Sequence, residues 1–432
     1  MDFISNQNPQ IQEMLQALGI SDVTELFQAI PAHLRLPRPS EEDGLSESEG
    51  MRLMEKLAAK NSYPQFDNYL GAGAYEHHVS PLVGAICSKS EFLTAYTPYQ
   101  AEASQGLLQI TFEFQSAICA LTGLDVANAS LYDGASACAE AMLMALRCRN
   151  ERTKVIVPDS LHPHYRAVIE QYLTSHKIKV EKNFHFDENS AAVIVQYPNF
   201  FGRIEDVKSV FAQAKAAGAL CILVANPLVY GLFSSAADLG ADIAVGDGQP
   251  FGLPLQYGGP YVGYMACKQE LVRQMPGRIV GETVDTEGKR GFVLTLQARE
   301  QHIRREKATS NICTNQALAA LACLIGITWY GKQGLPKLAL TNYQRAHYLC
   351  DNLKKIKGLK EGGNEPFFNE FVMIWDRPLD KVLKHFRAHG IEPGLDLSRF
   401  YPLKNHLLVA VTEAKTKEQL DRYIRVAQEC QA

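Results

Sequence analysis

The spacing of hydrophobic residues predicts a helical N-terminal arm followed by a separately folded region. Residues 1–65 carry apolar positions at helical spacing, interrupted by helix breakers such as Pro31. From about residue 100 the pattern changes to apolar runs bounded by turn residues. The segments 105–122 and 134–149 have the length and composition of helices, and the second is rich in Ala and Met.

Short apolar runs in the middle of the chain predict buried parallel strands. Four such runs occupy residues 154–157, 192–195, 221–224 and 243–245. A crossover helix is predicted over residues 205–217, where apolar residues recur on one face. Alternation of strands and helices is typical of a doubly wound, mainly parallel α/β sheet. Further strands are predicted at 258–264 and 292–295.

The C-terminal part of the chain predicts long helices followed by a smaller α+β domain. Helices are predicted at about 315–330 and over 336–356. The tail then predicts alternating strands and helices at 371–374, 381–389, 407–411 and 417–428. We therefore expect three parts, namely an N-terminal helical arm (1–65), a large α/β domain (66–314), and a linking helix with a small α+β domain (315–432).

Charge and cysteine content narrow the function. The 432 residues include 43 basic and 47 acidic residues, so the chain has no basic field for nucleic acid or an anionic membrane. Ten cysteines without a C-x-x-C pair are typical of a reduced intracellular protein. Residues 1–5 do not begin a signal peptide, and the apolar segment 317–330 is shorter than the roughly 18–20 residues of a membrane helix. We expect a cytoplasmic protein that binds neither nucleic acid nor membranes.

Several familiar catalytic motifs are missing from the sequence. It contains neither G-x-G-x-x-G nor a P-loop, and neither G-x-S-x-G nor H-E-x-x-H. Residues 132–137 begin a helix with small residues whose N–H groups could hold a phosphate, although a capped helix start without a ligand is the commoner interpretation. The pairs His77-His78 and His162-Pro163-His164 lack an accompanying Cys or carboxylate pattern, so we predict no metal site.

Two polar stretches have a composition that does not suit a core. Residues 92–102 form a loop with Tyr96, Tyr99, an amide and a carboxylate before a helix, which suits a pocket wall or a partner surface. Residues 297–311 mix both charge signs, which is usually a solvated helix face, but the ending Ala-Thr-Ser-Asn favours a loop at a site.

These two stretches closely resemble the P-protein family of the glycine cleavage system, glycine decarboxylase, and its N-terminal half in particular. Supporting matches lie at 130–141, 246–260, 390–394 and 411–413, so the resemblance spans nearly the whole chain. In some bacteria the enzyme consists of two polypeptides, and this chain resembles the first, or α, subunit. The resemblance implies fold type I of the transferases that depend on pyridoxal phosphate (PLP), like the aspartate aminotransferases.

The sequence departs from the catalytic half of the family at two chemically essential positions. A PLP enzyme needs a lysine for its Schiff base and an acidic partner for the pyridinium nitrogen. The matching positions hold Gln249 and Asn226. Glutamine has no amine to condense with an aldehyde, and neutral asparagine cannot keep the ring nitrogen protonated. The resemblance thus implies that this chain carries no catalytic residue and does not bind PLP covalently.

The family resemblance also implies a division of labour within an α2β2 heterotetramer. Subunit 2 carries PLP, decarboxylates glycine and passes the aminomethyl group to the lipoyl group of H-protein, while this chain lines the active site. Residues expected to line the substrate pocket are Tyr96, Thr97, Tyr99, Gln100 and His77, with His162 as a weaker candidate. Residues expected to reach the partner's cofactor are Arg304, Arg305, Lys307 and Thr309. No metal is implied.

Two alternatives stay open at this point. The chain could be a scaffold whose degenerate pocket is empty and which stabilises subunit 2 and receives H-protein. It could also be an independent PLP enzyme that uses another lysine, such as Lys268.

Overall fold

The computed structural model describes residues 6–35, 44–308 and 310–431 and divides the chain into two units, residues 1–64 and 65–432. The first unit contains helices α1 (Asn8–Leu18) and α2 (Glu47–Ala58). Helix α1 ends at Gly19, whose φ of 70° is a conformation that glycine adopts without strain. Helix α2 begins with a capping box in which the Ser46 and Glu49 side chains accept each other's backbone N–H groups.

The second unit contains a seven-stranded sheet, a four-stranded sheet and eleven helices within the described residues. The helices are α3 (Pro81–Cys87), α4 (Ser90–Leu93), α5 (Gln105–Thr122), α6 (Gly134–Cys148), α7 (Pro163–Leu173), α8 (Val207–Ala216), α9 (Ala236–Leu239), α10 (Gln301–Arg304), α11 (Ala317–Leu353), α12 (Leu379–Ala388) and α13 (Lys417–Gln431). The strands are β1 (Asp67–Asn68), β2 (Val126–Ala127), β3 (Lys154–Ile156), β4 (Lys179–Glu181), β5 (Ser190–Tyr197), β6 (Leu220–Ala225), β7 (Ile243–Asp247), β8 (Gly263–Cys267), β9 (Ile279–Val284), β10 (Arg290–Thr295), β11 (Leu359–Glu361), β12 (Glu370–Trp375), β13 (Ile391–Glu392), β14 (Leu395–Asp396) and β15 (His406–Ala410).

The large sheet has the order β2-β8-β7-β6-β5-β3-β4 and is mixed rather than wholly parallel. Strands β4, β3, β5, β6 and β7 are parallel, whereas β8 runs antiparallel to both β7 and β2. Successive side chains point to opposite faces of a strand, so Val193 of β5 joins the core under α5 and α8, and Ile194 joins the core under α6 and α7. Helices therefore cover both faces of the sheet, as parallel strands require.

The C-terminal part of the chain folds around a second sheet with the order β11-β12-β15-β14. Its core combines Trp375 of β12 with Phe386 of α12 and Tyr423 of α13. The helix α11 connects the two sheets and bends at Gly331, where the φ of 59° interrupts the helical backbone. None of the described helices has the length and apolar character needed to cross a membrane.

Most predicted elements agree with the structure, and the differences have local causes. The helix at 105–122 has the predicted bounds, and the predicted runs at 154–157, 192–195, 221–224 and 243–245 all contain strands. The predicted strand at 258–264 is wrong for residues 258–262, because Gly258 and Gly259 adopt φ values of 115° and 126° and the strand begins only at Gly263. The predicted strand at 292–295 pairs with β9 in a separate hairpin. All ten cysteines are free thiols.

Candidate functional site

The carboxyl ends of β5, β6 and β7 surround a small cavity, at the edge where doubly wound sheets bind ligands. Its volume of about 30 Å³ is enough for about two water molecules. The cavity is lined by Gly73, Tyr75, Tyr165, Gln196, Pro198, Asn199, Val224, Ala225, Asn226, Gly246, Asp247, Pro250, Asn369 and Glu370.

Gln249 is fully buried just after β7, and its side chain hydrogen-bonds to the backbone of two other segments. Its Nε2 donates to the carbonyl oxygens of Tyr75 at 2.8 Å and Leu253 at 3.0 Å. Its Oε1 accepts the Tyr75 N–H at 3.1 Å. Both amide hydrogens and the oxygen are therefore engaged, and the side chain joins the loop before α3 to the end of the sheet.

Asn226 follows β6 and caps a short 3₁₀ turn. Its Oδ1 accepts the N–H of Leu228 at 3.0 Å. Its Nδ2 is buried and has no hydrogen-bond partner among the described residues. The residue thus presents a neutral donor to the cavity, where a carboxylate would be needed to keep a pyridine nitrogen protonated.

Asp247 is the last residue of β7, and its side chain hydrogen-bonds to the start of helix α6. Its Oδ2 accepts the Gly134 N–H at 3.0 Å, and its Oδ1 accepts the Gln249 N–H at 2.9 Å. Burial raises the pKa of this carboxyl to about 7, although the two backbone donors oppose that shift. Asp133 caps the same helix by accepting the Ser136 N–H at 2.7 Å. Carboxylates therefore already accept the N–H groups of Gly134 and Ser136 in the first turn of α6.

A hydrogen-bonded pair closes the opposite side of the cavity. The Tyr75 hydroxyl donates to Glu370 Oε2 at 2.9 Å, and the Ala72 N–H donates to Glu370 Oε1 at 2.7 Å. Burial raises the pKa of Glu370 to about 7. The pair joins the loop before α3 to β12 and thereby closes the cavity between the two sheets.

His162 is the N-cap of α7 and is only 6% exposed. Its Nδ1 accepts the His164 N–H at 3.1 Å, and its Nε2 lies 2.7 Å from the Ala72 carbonyl oxygen. The ring stacks on Tyr165 with centroids 4.8 Å apart. Burial lowers the pKa of this imidazole to about 4, so it is neutral at physiological pH.

These residues do not fit a bound PLP molecule on this chain. The cavity of about 30 Å³ between Asn226 and Asp247 is too small for a pyridine ring that carries a phosphate. A Cβ atom added at Gly134 would lie 2.4 Å from the Tyr165 hydroxyl, so Tyr165 packs directly against the first residue of α6. An open cleft of about 360 Å³ lies along the start of α6 and also includes His162, His164 and Asp247, but neither Gln249 nor Asn226 lines that cleft.

Lys268 is also unsuited to hold PLP. It follows β8, which runs antiparallel, and it contacts Asp242 at the beginning of β7. This is the opposite edge of the sheet from Gln249. The hydrogen bond to Asp242, 2.6 Å long, raises the pKa of the Lys268 ammonium and so keeps it protonated and non-nucleophilic.

The structure brings together the two polar stretches singled out in the sequence. The rings of Tyr99 and His302 lie edge to face with centroids 5.7 Å apart. Arg278 lies 5.5 Å from the Tyr99 ring centroid and donates to its hydroxyl at 3.3 Å and to the Cys313 carbonyl oxygen at 2.6 Å. Its Nε atom lies 3.8 Å from Glu300. Arg278, which sequence reasoning missed, therefore joins both stretches.

The other predicted pocket residues lie mostly at the surface. Tyr96 and Tyr99 are 78% and 55% exposed, Gln100 is exposed and Thr97 is half-buried. The side chains of Arg304, Arg305 and Lys307 are exposed, and Arg304 donates to the Ala298 carbonyl oxygen at 3.0 Å. Thr309 lies outside the described residues. His77 is buried in a separate cluster, where it pairs with Glu413.

Comparisons with known proteins identify the family. The family model described as "Glycine cleavage system P-protein" matches residues 1–427. The chain belongs to the glycine cleavage system P-protein family. It is 62% identical to "Probable glycine dehydrogenase (decarboxylating) subunit 1" of Protochlamydia amoebophila, over 99% of this chain and 100% of that protein. The family resemblance found in the sequence is therefore confirmed.

Solved structures confirm the predicted fold class. A crystal structure of glycine decarboxylase (P-protein) of the glycine cleavage system, in inhibitor-bound form, aligns with a TM-score of 0.89 and 41% identity over the whole of both chains. Glutamate decarboxylase of Lactobacillus brevis aligns with a TM-score of 0.68 and 12% identity over 94% of this chain and 97% of that chain, which shows the fold alone. This P-protein family member has the α/β architecture of PLP-dependent fold type I, with a mixed central sheet.

Proposed function

We propose that this chain is the PLP-free subunit of a glycine decarboxylase built from two polypeptides. The observation that carries the proposal is the filled site at the ends of β6 and β7, where Gln249 is hydrogen-bonded on all sides and the remaining cavity is about 30 Å³. A chain of this family that cannot hold the cofactor itself needs a partner that does.

The proposed reaction is the decarboxylation of glycine and transfer of the aminomethyl group to the lipoyl group of H-protein. The second subunit would carry PLP, which supplies the chemistry that stabilises negative charge on the glycine carbon. The proposed assembly is a cytoplasmic α2β2 heterotetramer that also receives lipoylated H-protein. Relatives of this chain carry the name "subunit 1", which supports the existence of a partner subunit.

The contribution of this chain would be to line and order the partner's active site. Tyr96, Tyr99 and Gln100 are exposed and offer aromatic faces, hydroxyls and an amide. A buried Arg278 beneath Tyr99 limits the motion of that ring, because the guanidinium contacts both its face and its hydroxyl. A pre-ordered wall of this kind would orient glycine without forming a bond to it.

The exposed cations on the neighbouring segment suit a role in anion binding across the interface. Arg304, Arg305 and Lys307 follow His302, which contacts Tyr99. These cations would bind the phosphate of the partner's cofactor, or they would stabilise the conformation of the polar stretch that contains them. Tight binding of the glycine carboxylate is less suitable, because decarboxylation removes that charge and ground-state pairing would oppose the reaction.

The proposal is tested by purifying this chain and its second subunit separately and together. Glycine-dependent release of CO2 is then measured with lipoylated H-protein. We expect activity only in the mixture and the colour of bound PLP only on the second subunit. Activity or colour in this chain alone would contradict the proposal.

A single-atom change separates an active-site role from a purely scaffolding one. Tyr99→Phe keeps the ring contact with Arg278 but removes the hydroxyl. We expect lower turnover in the assembled complex, with subunit assembly unchanged by size-exclusion chromatography. Tyr172→Phe, on α7 and outside both polar stretches, is the matched control and should keep full activity. Unchanged turnover in Tyr99→Phe would favour the scaffold.

A further inference from the structure

Three metal-binding side chains meet between α12 and α13, in the small domain. His385 lies in the last turn of α12, His389 is the residue that caps the C-terminus of this helix, and Glu429 lies on α13. Each offers one ligand atom, and these atoms all lie within 4.8 Å of one another. His389 Nε2 and Glu429 Oε2 are 3.6 Å apart. Two ligands of a tetrahedral zinc ion with bonds of about 2.0 Å lie roughly 3.3 Å apart, so the pair at 3.6 Å is close to this spacing, and atoms up to 4.8 Å apart reach one shared ion after small side-chain movements.

The tautomer of His389 also suits metal binding. Its Nδ1 lies 2.9 Å from the backbone carbonyl oxygen of His385, which can only accept a hydrogen bond. Nδ1 therefore carries a proton, which leaves Nε2, 3.6 Å from Glu429 Oε2, as the nitrogen available to a metal ion. An imidazole held by a carbonyl oxygen at one nitrogen and free to bind metal at the other is the usual arrangement of metal-ligating histidines.

His385 supplies a second, independent indication. Its Nε2 is buried and accepts or donates no hydrogen bond within the part of the chain that the structure describes. A buried polar nitrogen without a partner is costly, and a bond to a metal ion would offset that cost. The ring lies beside His389 with centroids 4.6 Å apart, so small side-chain rotations bring both nitrogens to a common ion.

We propose that His385, His389 and Glu429 bind one divalent cation of the zinc class, with water in the fourth position. Two imidazoles and one carboxylate favour zinc, copper or nickel over magnesium or calcium. The ion can enter from solvent because the His389 and Glu429 side chains are 41% and 58% exposed. Its effect would be to fasten α13, which ends at Gln431, to α12.

The test is a zinc titration of the full chain after dialysis against a chelator. Exposed thiols compete for zinc and Cys313 is exposed, so all proteins carry Cys313→Ser. We expect one saturable site per chain, weakened at least about tenfold by His389→Ala and by Glu429→Gln, since even outer-shell changes cost that much in metal sites. His176→Ala, which removes an exposed histidine outside the cluster, should bind zinc as the parent does.

Hydrogen exchange locates the bound ion and serves as a second readout. Zinc should slow amide exchange across residues 417–431 in the parent but not in His389→Ala. Both variants alter exposed side chains, so folding should be preserved. The proposal is overturned if no saturable zinc site is found, if both variants bind as tightly as the parent, or if zinc leaves exchange in α13 unchanged.

Discussion

His77 Nδ1 lies 2.9 Å from Glu413 Oε2 and joins two residues that are 336 positions apart in the chain. The same carboxylate accepts the His78 N–H at 2.8 Å and the Asn342 Nδ2 at 2.9 Å. Burial alone would raise the pKa of Glu413, but His77 and these donors outweigh it and lower the pKa to about 2. The carboxylate therefore ties the loop before α3, helix α11 and the end of β15 into one structure.

Replacing this carboxylate by Glu413→Gln should lower the free energy of unfolding by about 2 kcal/mol at pH 7, because hydrogen bonds to a charged group are lost. The stabilisation from a lowered pKa is fully present above about pH 4.5 and is lost as the pH falls towards 2. Urea unfolding between pH 7 and 3.5 should therefore show that the difference in free energy of unfolding between Glu413→Gln and wild type becomes smaller below pH 4.5. The surface change Glu188→Gln should show no such pH dependence.

Glu370 should have the opposite pH dependence. Its folded-state pKa of about 7 exceeds the ordinary 4.5, so the folded protein holds a proton that the unfolded chain has released. Wild-type stability therefore falls between pH 4.5 and 7, by about 3 kcal/mol at 1.4 kcal/mol per pH unit. Glu370→Gln stays neutral and can still bond to Ala72 and Tyr75.

The measurement for Glu370→Gln is its stability relative to wild type at pH 5 and pH 8, from urea unfolding. From pH 5 to pH 8, the free energy of unfolding of the variant should rise by about 3 kcal/mol relative to that of the wild type. Glu151→Gln at the surface is the control, and its free energy of unfolding relative to wild type should not change between these pH values. A constant difference between Glu370→Gln and wild type would mean that Glu370 is already ionised at pH 5.

Restoring the missing lysine should not restore the cofactor. Gln249→Lys supplies an amine, but the cavity of about 30 Å³ and the carboxylate of Asp247 at the start of α6 stay in place. We expect the variant, incubated with PLP, to show no absorbance of a lysine-bound cofactor and to be less stable, since lysine cannot accept the Tyr75 N–H. The second subunit is the positive control, and a yellow Gln249→Lys protein would contradict the filled-site argument.

Arg278 should act as a positioning residue for Tyr99. Arg278→Lys keeps a charge for Glu300 but loses the planar guanidinium that contacts the Tyr99 ring and the Cys313 carbonyl oxygen together. We expect kcat of the two-subunit enzyme to fall roughly ten- to a hundredfold while assembly is retained, because small misplacements at an active site are that costly.

The control for Arg278→Lys is Arg290→Lys, which changes a similar cation–π contact with Phe292 at the surface. That variant should keep its turnover. The KM for glycine distinguishes positioning of Tyr99 from direct binding of glycine, since loss of a direct contact with glycine would raise KM. Equal losses in both variants, or a change in KM alone, would argue against positioning.

The sequence by itself determined the family, the fold class and the chemistry that this chain lacks. Local signals are enough for a helix such as 105–122, because its apolar spacing and the glycine that ends it lie within one segment. The glutamine at position 249 needs no structure to be recognised as unable to form a Schiff base. Short strands such as Val126–Ala127 and Lys179–Glu181 escaped prediction, because two or three residues carry no periodicity.

The tertiary structure alone decided how distant residues meet. Tyr75 and Glu370 are 295 positions apart, and their hydrogen bond closes the cavity that a cofactor would need. Arg278 reaches Tyr99 across 179 positions and so links two loops that the sequence could only single out separately. Such contacts depend on the packing of helices and strands against one another, and no local pattern of hydrophobic and polar residues encodes which side chains that packing brings together.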